Sequence, residues 1–242
     1  MTHTETVITV SHLYKKFGKF TANDDLNFEV YRGEIFGFLG ANGAGKTTAM
    51  RILCGLSSPT SGTAMVAGYN VAEQPELVKR NIGYMSQKFS LYEDLTIWEN
   101  MRLYAGIYGV TGKAFRDRAE NLLSELHFLN HRHELIAGLS LGWKQKLAFT
   151  VALIHRPAIV FLDEPTGGVD PVTRRQFWEM IYEAAHQGTT IFVTTHYMDE
   201  AEYCDRITIM ADGKIKALDT PGNLKASMGV ETMNEVFVGL TR

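Results

Sequence analysis

The stretch at positions 40–48 limits the folds open to this chain more than any other feature; it reads Gly-Ala-Asn-Gly-Ala-Gly-Lys-Thr-Thr. Two glycines enclose four residues and are followed by Lys46 and Thr47, which is the phosphate-loop pattern. Glycines let backbone N–H groups close on phosphate oxygens without a Cβ in the way. Lys46 would bring positive charge to the outer phosphates, and Thr47 would offer a hydroxyl to Mg²⁺. The chain is therefore expected to bind a nucleoside triphosphate.

The segments on either side of the loop support this interpretation. Residues 34–39 form an apolar run typical of a buried strand, and residues 48–53 have the pattern of a following helix. The first N–H groups of a helix and its positive dipole end favour an anion there. The loop residues expected to contact nucleotide are Asn42, Gly43, Ala44, Gly45, Lys46, Thr47 and Thr48.

Charge and cysteine content narrow the class of partner. The 242 residues carry a formal net charge of −3, so the chain lacks the basic field that nucleic-acid binding usually needs, and no nucleic-acid partner is expected. Cys54 and Cys204 lie far apart without metal-type spacing, which suits a reducing cytosol. No apolar run approaches the ~20 residues of a membrane span. We expect a cytoplasmic protein whose membrane role comes through a partner.

The chain before residue 89 is rich in strand patterns. Residues 6–10 and 26–30 alternate between apolar and polar, and short strand-like runs follow at 63–66 and 82–85. Phe17 lies beside a glycine between the first two strands, where an aromatic ring could stack on a base. From this segment alone, plain hydrophobic packing is the favoured interpretation.

Helical patterns replace strands from about Phe89. Thr96 and Glu99 form a capping box ahead of the first helix. A second helix is predicted over 114–129 and a third over 141–155. We interpret 89–155 as an all-helical lobe inserted into an α/β core made of residues 1–88 and 156–242, all within one domain.

Candidate catalytic groups follow the later strands. The apolar run 159–162 is typical of a parallel strand covered on both faces, and ligands bind beyond the carboxyl ends of such strands. Asp163 and Glu164 come directly after it, where the first can hold Mg²⁺ through water and the second can polarise an attacking water. Gln87 and His196 also follow strands; alone, either would pass for a surface or structural residue. His131 and His133 have no further ligand in view, so no metal site is expected there.

The last quarter of the chain has clear element boundaries. Asp170 and Pro171 mark the start of a helix that runs to about residue 187. A hairpin is predicted over 206–218, with its turn at 211–213, and a short amphipathic helix over 232–240.

These motifs together resemble the ATP-binding subunit of ABC transporters, over essentially the whole chain. The motifs occur in the same order as in that family. They are the Walker A loop at 40–48, the Q-loop at Gln87, the signature segment Leu-Ser-Leu-Gly-Trp at 139–143, Walker B at 159–163, the catalytic glutamate at Glu164, the D-loop at 167–170 and the switch histidine at His196. The resemblance implies an α/β fold: a P-loop, RecA-like core with a mixed, mainly parallel sheet, an N-terminal antiparallel β subdomain and an inserted helical lobe.

The resemblance also implies ATP and Mg²⁺ as cofactors and assigns roles to residues. Phe17 matches the aromatic residue that stacks on adenine, which reverses the preference for plain packing. The implied catalytic residues are Glu164, His196, Lys46 and Gln87, and the implied metal ligands are Thr47, Gln87 and Asp163. Ser140, Leu141 and Gly142 would act on the nucleotide of a second subunit, with Asp170 as the D-loop aspartate.

The signature segment departs from the family's usual Leu-Ser-Gly-Gly-Gln at its third and fifth positions, which are Leu141 and Trp143. Ser140 and Gly142 are retained. A hydroxyl and free N–H groups at a helix N-terminus can still reach a γ-phosphate. The strength of the contact and the choice of partner depend on what Leu141 and Trp143 do.

The subfamily pattern points to export. The segments 36–40, 168–171 and 234–241 look like those of ABC-2 type exporters, which include drug-resistance and multidrug ATPases. This implies a membrane-spanning permease as a separate protein, a second ATPase subunit in a homodimer, and a place on the inner face of the cell membrane through the permease.

Two other kinds of P-loop protein are the alternatives. A soluble ABC ATPase acting on ribosomes or nucleic acid usually has two ATPase units in one chain or a long coiled-coil insertion, and this sequence has neither. A P-loop kinase or GTPase is disfavoured by the signature segment between Walker A and Walker B. The sequence also has no Asn-Lys-x-Asp run of the kind that reads guanine. The first of these stays the alternative to export.

Overall fold

The structure is a computed structural model and describes residues 5–87 and 90–241. In chain order its strands are β1 (Thr6–Phe17), β2 (Phe20–Tyr31), β3 (Ile35–Gly40), β4 (Ser61–Val66), β5 (Tyr69–Asn70), β6 (Ile82–Met85), β7 (Ile159–Asp163), β8 (Thr190–Thr195), β9 (Arg206–Ala211) and β10 (Lys214–Asp219). Its α-helices are α1 (Lys46–Leu53), α2 (Pro75–Asn81), α3 (Ile97–Ile107), α4 (Gly112–Glu125), α5 (Leu141–Ala152), α6 (Pro171–His186), α7 (Pro221–Met228) and α8 (Met233–Thr241).

The larger sheet has the strand order β10-β9-β3-β8-β7-β6. Its strands pair in parallel except β9 and β10, which form the antiparallel hairpin that the sequence predicts. Strands β3, β7 and β8 are buried along their whole length, as their continuous apolar runs indicate. The carboxyl ends of β3, β8, β7 and β6 therefore lie side by side along one edge.

Alternate residues of these buried strands pack into two different cores. On one face four phenylalanines cluster, and the rings of Phe38 and Phe192 lie 4.7 Å apart between centroids. This face contacts α1 and the smaller sheet. The other face packs against α3–α6, so the apolar sides of the inserted helices share a core with the sheet.

The smaller sheet is antiparallel, in the order β2-β1-β4-β5. Strands β1 and β2 are 12 residues each, much longer than the predicted 6–10 and 26–30. The alternation is broken where His12 (φ 49°) and Asp25 (φ 57°) adopt left-handed backbone and the pairing register shifts. At such a bulge the alternation of apolar and polar residues is interrupted, so the pattern in the sequence predicts only part of each strand.

The helices follow the predicted order, with corrections at their ends. Thr96 caps α3 in the predicted capping box, and Ser140 caps α5. Helix α4 ends at Glu125 and not at 129, because His127 turns left-handed (φ 55°). Helix α5 ends at Ala152 and not at 155, ahead of left-handed Arg156. The short helices α2 and α7 were not predicted, since each buries few residues.

Helices α3–α5 lie between β6 and β7 in the chain, which is the predicted site of insertion. The division at 88/89 into core and lobe stays a prediction, and Lys88 and Phe89 are outside the described residues. Within the described ranges, no helix is long and apolar enough to cross a bilayer.

Candidate functional site

The phosphate loop joins β3 to α1 and is held by β2. Gly45 has φ 101°, and a Cβ there would meet the carbonyl oxygen of Ala22 at 2.3 Å. The amide of Asn23 donates to the Gly45 carbonyl at 3.1 Å. Glycine is therefore required at this position both for its backbone conformation and for the close approach of β2.

Lys46 lies at the start of α1 with only 4% of its surface exposed. Its Nζ donates to the carbonyls of Gly40 at 2.7 Å and Ala41 at 3.2 Å, and lies 3.6 Å from Oε1 of Glu164. Burial lowers the pKa of this ammonium, and the neighbouring Glu164 carboxylate opposes that change. A desolvated cation in a cradle of backbone groups fits a phosphate.

Asp163 ends β7 and lies beside Thr47. Its Oδ1 accepts from the hydroxyl of Thr194 at 2.7 Å and from that of Thr47 at 3.3 Å. Burial raises the pKa of Asp163, and these two hydrogen bonds oppose the rise. A hydroxyl and a buried carboxylate side by side are hard oxygen ligands, so Thr47 and Asp163 fit Mg²⁺.

Glu164 is the point at which the predicted catalytic residues meet. Its Oε2 accepts from the amide of Gln87 at 3.0 Å and lies 3.1 Å from Nδ1 of His196, while Oε1 faces Lys46. Its backbone has φ 48°, unfavourable for a residue with a Cβ, and its N–H donates to Thr194. Four strand ends thus bring Lys46, Gln87, Glu164 and His196 together.

Gln87 was predicted both as a catalytic residue and as a metal ligand. In the structure its amide nitrogen contacts Glu164, whereas Thr47 and Asp163 contact each other. Its metal-binding role stays a prediction.

Phe17 ends β1 at the tip of the β1–β2 hairpin, with 56% of its surface exposed. The ammonium of Lys15 lies 5.0 Å from its ring centroid. Phe20 pairs with it across the hairpin and is 62% exposed, so a second ring is available. Only Phe17 was singled out from the sequence, and Phe20 was not predicted. The hairpin leads directly to Ala22 and Asn23 of β2, which contact Gly45 of the phosphate loop.

The signature residues begin α5. Ser140 is the N-cap, with its Oγ 3.5 Å from the backbone nitrogen of Trp143. A Cβ on Gly142 would lie 2.5 Å from Cγ2 of Thr173, so glycine allows α5 to pack on α6. Leu141 is 46% exposed.

Trp143 packs within its own chain. Its ring stacks on Phe128 at 4.1 Å between centroids, and the ammonium of Lys146 lies 4.6 Å from the ring centroid. The unusual bulk at the fifth signature position is therefore accommodated among the helices.

Asp170 caps α6. Its carboxylate accepts from the backbone of Val172 and Thr173 at 3.0 Å each and from the hydroxyl of Thr173 at 2.6 Å. These hydrogen bonds, the Thr173 hydroxyl first, lower the pKa of Asp170. The predicted N-cap is confirmed; a role toward a second subunit stays a prediction.

Two residues that support the site, Thr194 and Gln145, were not predicted from the sequence. Thr194 bonds both Asp163 and Glu164, and Gln145 of α5 donates to the carbonyl of Gly167 at 3.1 Å. Hydroxyl residues at the end of an otherwise apolar strand were the available signal for Thr194. Gln145 lies in a helix with no polar pattern that would mark it.

Residues 23–167 match a protein family described as ABC transporter. The chain is 47% identical over 241 residues to a probable multidrug ABC transporter ATP-binding protein, YbhF, of Escherichia coli, covering 98% of this chain and 42% of that protein. It is 39% identical over 229 residues to the human phospholipid-transporting ATPase ABCA3, covering 94% of this chain and 13% of that protein. The chain thus spans less than half the length of these relatives.

Solved structures agree. An ATP-binding subunit of an ABC transporter superposes with TM-score 0.88 at 32% identity, covering 98% of this chain and all of that one. A dimeric ATP-binding cassette, MJ0796, bound to ADP and phosphate, gives TM-score 0.79 at 25% identity, covering 88% of this chain and 98% of that one. These similarities confirm the predicted fold and the predicted class of ATPase. The chain belongs to the ABC transporter family.

Proposed function

We propose that this chain is the ATP-hydrolysing unit that powers an ABC-type membrane exporter, with Mg²⁺ as cofactor. The observation that carries the proposal is the convergence of Lys46, Gln87 and His196 on Glu164, beside the Thr47–Asp163 pair. This is the constellation that phosphoryl transfer to water needs: charge for the phosphates, oxygen ligands for a metal, and a carboxylate base.

Each residue has a distinct role in this proposal. Lys46 and the loop N–H groups bind the β- and γ-phosphates, and Phe17 stacks on adenine. Thr47 and Asp163 hold Mg²⁺, which neutralises charge on the phosphates when bound.

Glu164 acts as the general base and His196 contacts the γ-phosphate. A phosphate that engages Lys46 competes with Glu164 for its ammonium. The Glu164 carboxylate then keeps its contacts with Gln87 and His196 but loses part of its interaction with the Lys46 ammonium. It is therefore a stronger base toward a proton of the attacking water.

Two such units are proposed to close head to tail on two ATP molecules. Ser140, Leu141 and Gly142 of one unit then face the nucleotide of the other. Leu141 and Val172 support this, because both are apolar and exposed, at 46% and 66%, and both lie on the face made by the starts of α5 and α6. The similarity to the dimeric cassette is in agreement.

The exporter assignment rests on the named relatives. The bacterial relative is named for multidrug transport, and the human one for phospholipids. We therefore propose efflux of drugs or other small molecules, and the alternative of a ribosome- or nucleic-acid-acting ATPase gains no support from these names. The chain would lie in the cytoplasm against the inner face of the membrane, held there by a permease.

The proposed permease contact is the surface near Gln87 and the first helix of the lobe, about residues 89–108, of which Phe89 is outside the described residues. Tyr92, Leu103 and Ile107 are exposed apolar residues in this segment. Leu91 is buried, so substitutions that test docking belong at Tyr92.

Nucleotide binding and hydrolysis by the purified chain test the proposal. Lys46→Ala is expected to abolish tight ATP binding, and chelation of Mg²⁺ to abolish hydrolysis by the wild type. Lys79→Ala is the matched control, since Lys79 pairs with Glu76 on the exposed side of α2. Unchanged ATP affinity in Lys46→Ala would refute the assignment of the loop.

A further inference from the structure

Glu200 is a buried carboxylate four residues beyond His196, and only 1% of its surface is exposed. Its Oε2 accepts from the hydroxyl of Thr195 at 2.5 Å, and its Oε1 accepts from the hydroxyl of Thr166. Nε of Arg174 lies 3.6 Å from Oε1. The carboxylate thus has a hydroxyl donor on each oxygen and a guanidinium nearby.

These partners belong to the two segments that carry the proposed catalytic residues. Thr195 is the last residue of β8 and directly precedes His196. Thr166 lies two residues after Glu164, in the loop that ends at Asp170. Through its two oxygens, Glu200 therefore bridges the strand end with His196 and the loop with Glu164.

A buried charge is a costly way to fill this space. An apolar side chain of similar volume often stabilises a core as well or better, whereas a carboxylate must keep its donors to be tolerated. What the carboxylate adds is direction, because its hydrogen bonds require both hydroxyls at fixed distances and angles. This favours a role in fixing geometry.

We propose that Glu200 is a positioning residue for ATP hydrolysis: it holds His196 and the loop after Glu164 in one relative arrangement through Thr195 and Thr166. The inference rests on the proposed roles of Glu164 and His196. Glu200 acts through these hydroxyls and is itself too deeply buried to reach nucleotide.

The same loop is held from its other side by the signature helix. Gln145 of α5 donates to the carbonyl of Gly167, the residue after Thr166. The loop that carries Thr166 is therefore linked to α5 by a hydrogen bond as well as to Glu200. We expect the Glu200 bridge to affect turnover far more than nucleotide binding, because Lys46 and the phosphate loop lie outside it.

Steady-state ATP hydrolysis by conservative variants tests this role. Glu200→Gln keeps the shape and removes the charge, and Thr195→Val removes one hydroxyl. Each is expected to lower kcat about tenfold and to change KM for ATP by less than about twofold. Thr195→Ser keeps the donor and is expected to retain near wild-type kcat. Glu202→Gln is the matched control, since Glu202 pairs with Lys225 on the surface at 2.7 Å.

A double-mutant cycle with His196→Ala separates positioning from general damage. If Glu200 acts through His196, Glu200→Gln lowers kcat in the wild-type background and has little further effect in His196→Ala. An equal fold loss in both backgrounds would overturn the inference, and so would an unchanged kcat in Glu200→Gln. If Glu200→Gln does not fold, the inference is tested by comparing Thr195→Val with Thr195→Ser. Equal kcat in those two variants would overturn it.

The cycle also distinguishes failure of the underlying function. Unchanged hydrolysis in His196→Ala itself would overturn both the proposed role of His196 and the inference that depends on it. Loss of hydrolysis in His196→Ala together with full activity of Glu200→Gln would overturn the inference alone.

Discussion

Trp143→Gln restores the residue that the family usually has at the fifth signature position. Because Trp143 packs against Phe128 and Lys146 of its own chain, we predict that this change lowers stability and leaves the proposed dimer contact intact. Loss of the stacked ring removes about 1 kcal/mol, loss of the cation–π contact about 0.5 kcal/mol, and loss of the half-buried apolar area about 1 kcal/mol.

Part of this loss is offset locally. A glutamine three residues after Ser140 completes a capping box at the start of α5, which returns about 0.5 kcal/mol. The free energy of unfolding is therefore expected to fall by about 2 kcal/mol, and Tm by about 4–8 °C for a chain of this length.

Two measurements check the prediction. Thermal unfolding of the nucleotide-free protein, followed by circular dichroism, reports stability. Light scattering of the Glu164→Gln protein with saturating ATP reports dimerisation.

The matched variant is Leu141→Ala, because Leu141 lies two residues away and is exposed. This variant is expected to change the free energy of unfolding by about 0.5 kcal/mol or less and to weaken the proposed dimer. A Trp143→Gln protein with unchanged Tm and an altered dimer would refute the reasoning.

Three further predictions concern the nucleotide and the fold. Phe17→Ala is expected to weaken ATP binding several-fold, since stacking contributes about 1 kcal/mol, and Phe20→Ala measured by the same titration shows whether the second ring takes part. Glu164→Gln is expected to accumulate as a dimer with ATP, and adding Ser140→Arg to disperse it; a monomer at high concentration favours a heteromeric partner. Burial lowers the pKa of His155 from 6.5 to about 4. The contribution of His155 to the free energy of unfolding is therefore fully present above about pH 6.5 and is lost as the pH falls toward 4. In urea unfolding, the free energy of unfolding of His155→Gln should decrease less than that of the wild type over this pH range.

Much of the order of elements could be predicted because the signals for it are encoded locally. The strand and helix that flank the phosphate loop, the capping box at Thr96 and the N-cap at Asp170 each depend on a few neighbouring residues, and the structure confirms these elements. The buried parallel strands could be predicted for the same reason, since a short continuous apolar run is typical of a strand that is covered on both faces.

Contacts between distant segments could not be predicted from the residues alone. Along the sheet edge the order is Lys46, His196, Glu164 and Gln87, whereas the chain order is 46, 87, 164 and 196. Strand order decides which side chains meet, and nothing local in the sequence encodes it. Thr194 and Glu200 were missed for this reason, as their partners lie in other segments.

The conformation of Glu164, at the carboxyl-end edge of the larger sheet, depends on residues from several parts of the fold. A residue with a Cβ at φ 48° costs on the order of 1 kcal/mol, and a buried carboxylate adds a desolvation penalty. The fold offsets both by supplying Thr194 to the backbone N–H and Lys46, Gln87 and His196 to the carboxylate. Because these four residues come from three separate segments of the chain, the Glu164 conformation persists only while β3, β6, β7 and β8 stay assembled. We expect a carboxylate held in this way to respond to movement of Lys46, Gln87 or His196, which a carboxylate on a relaxed surface turn would not do.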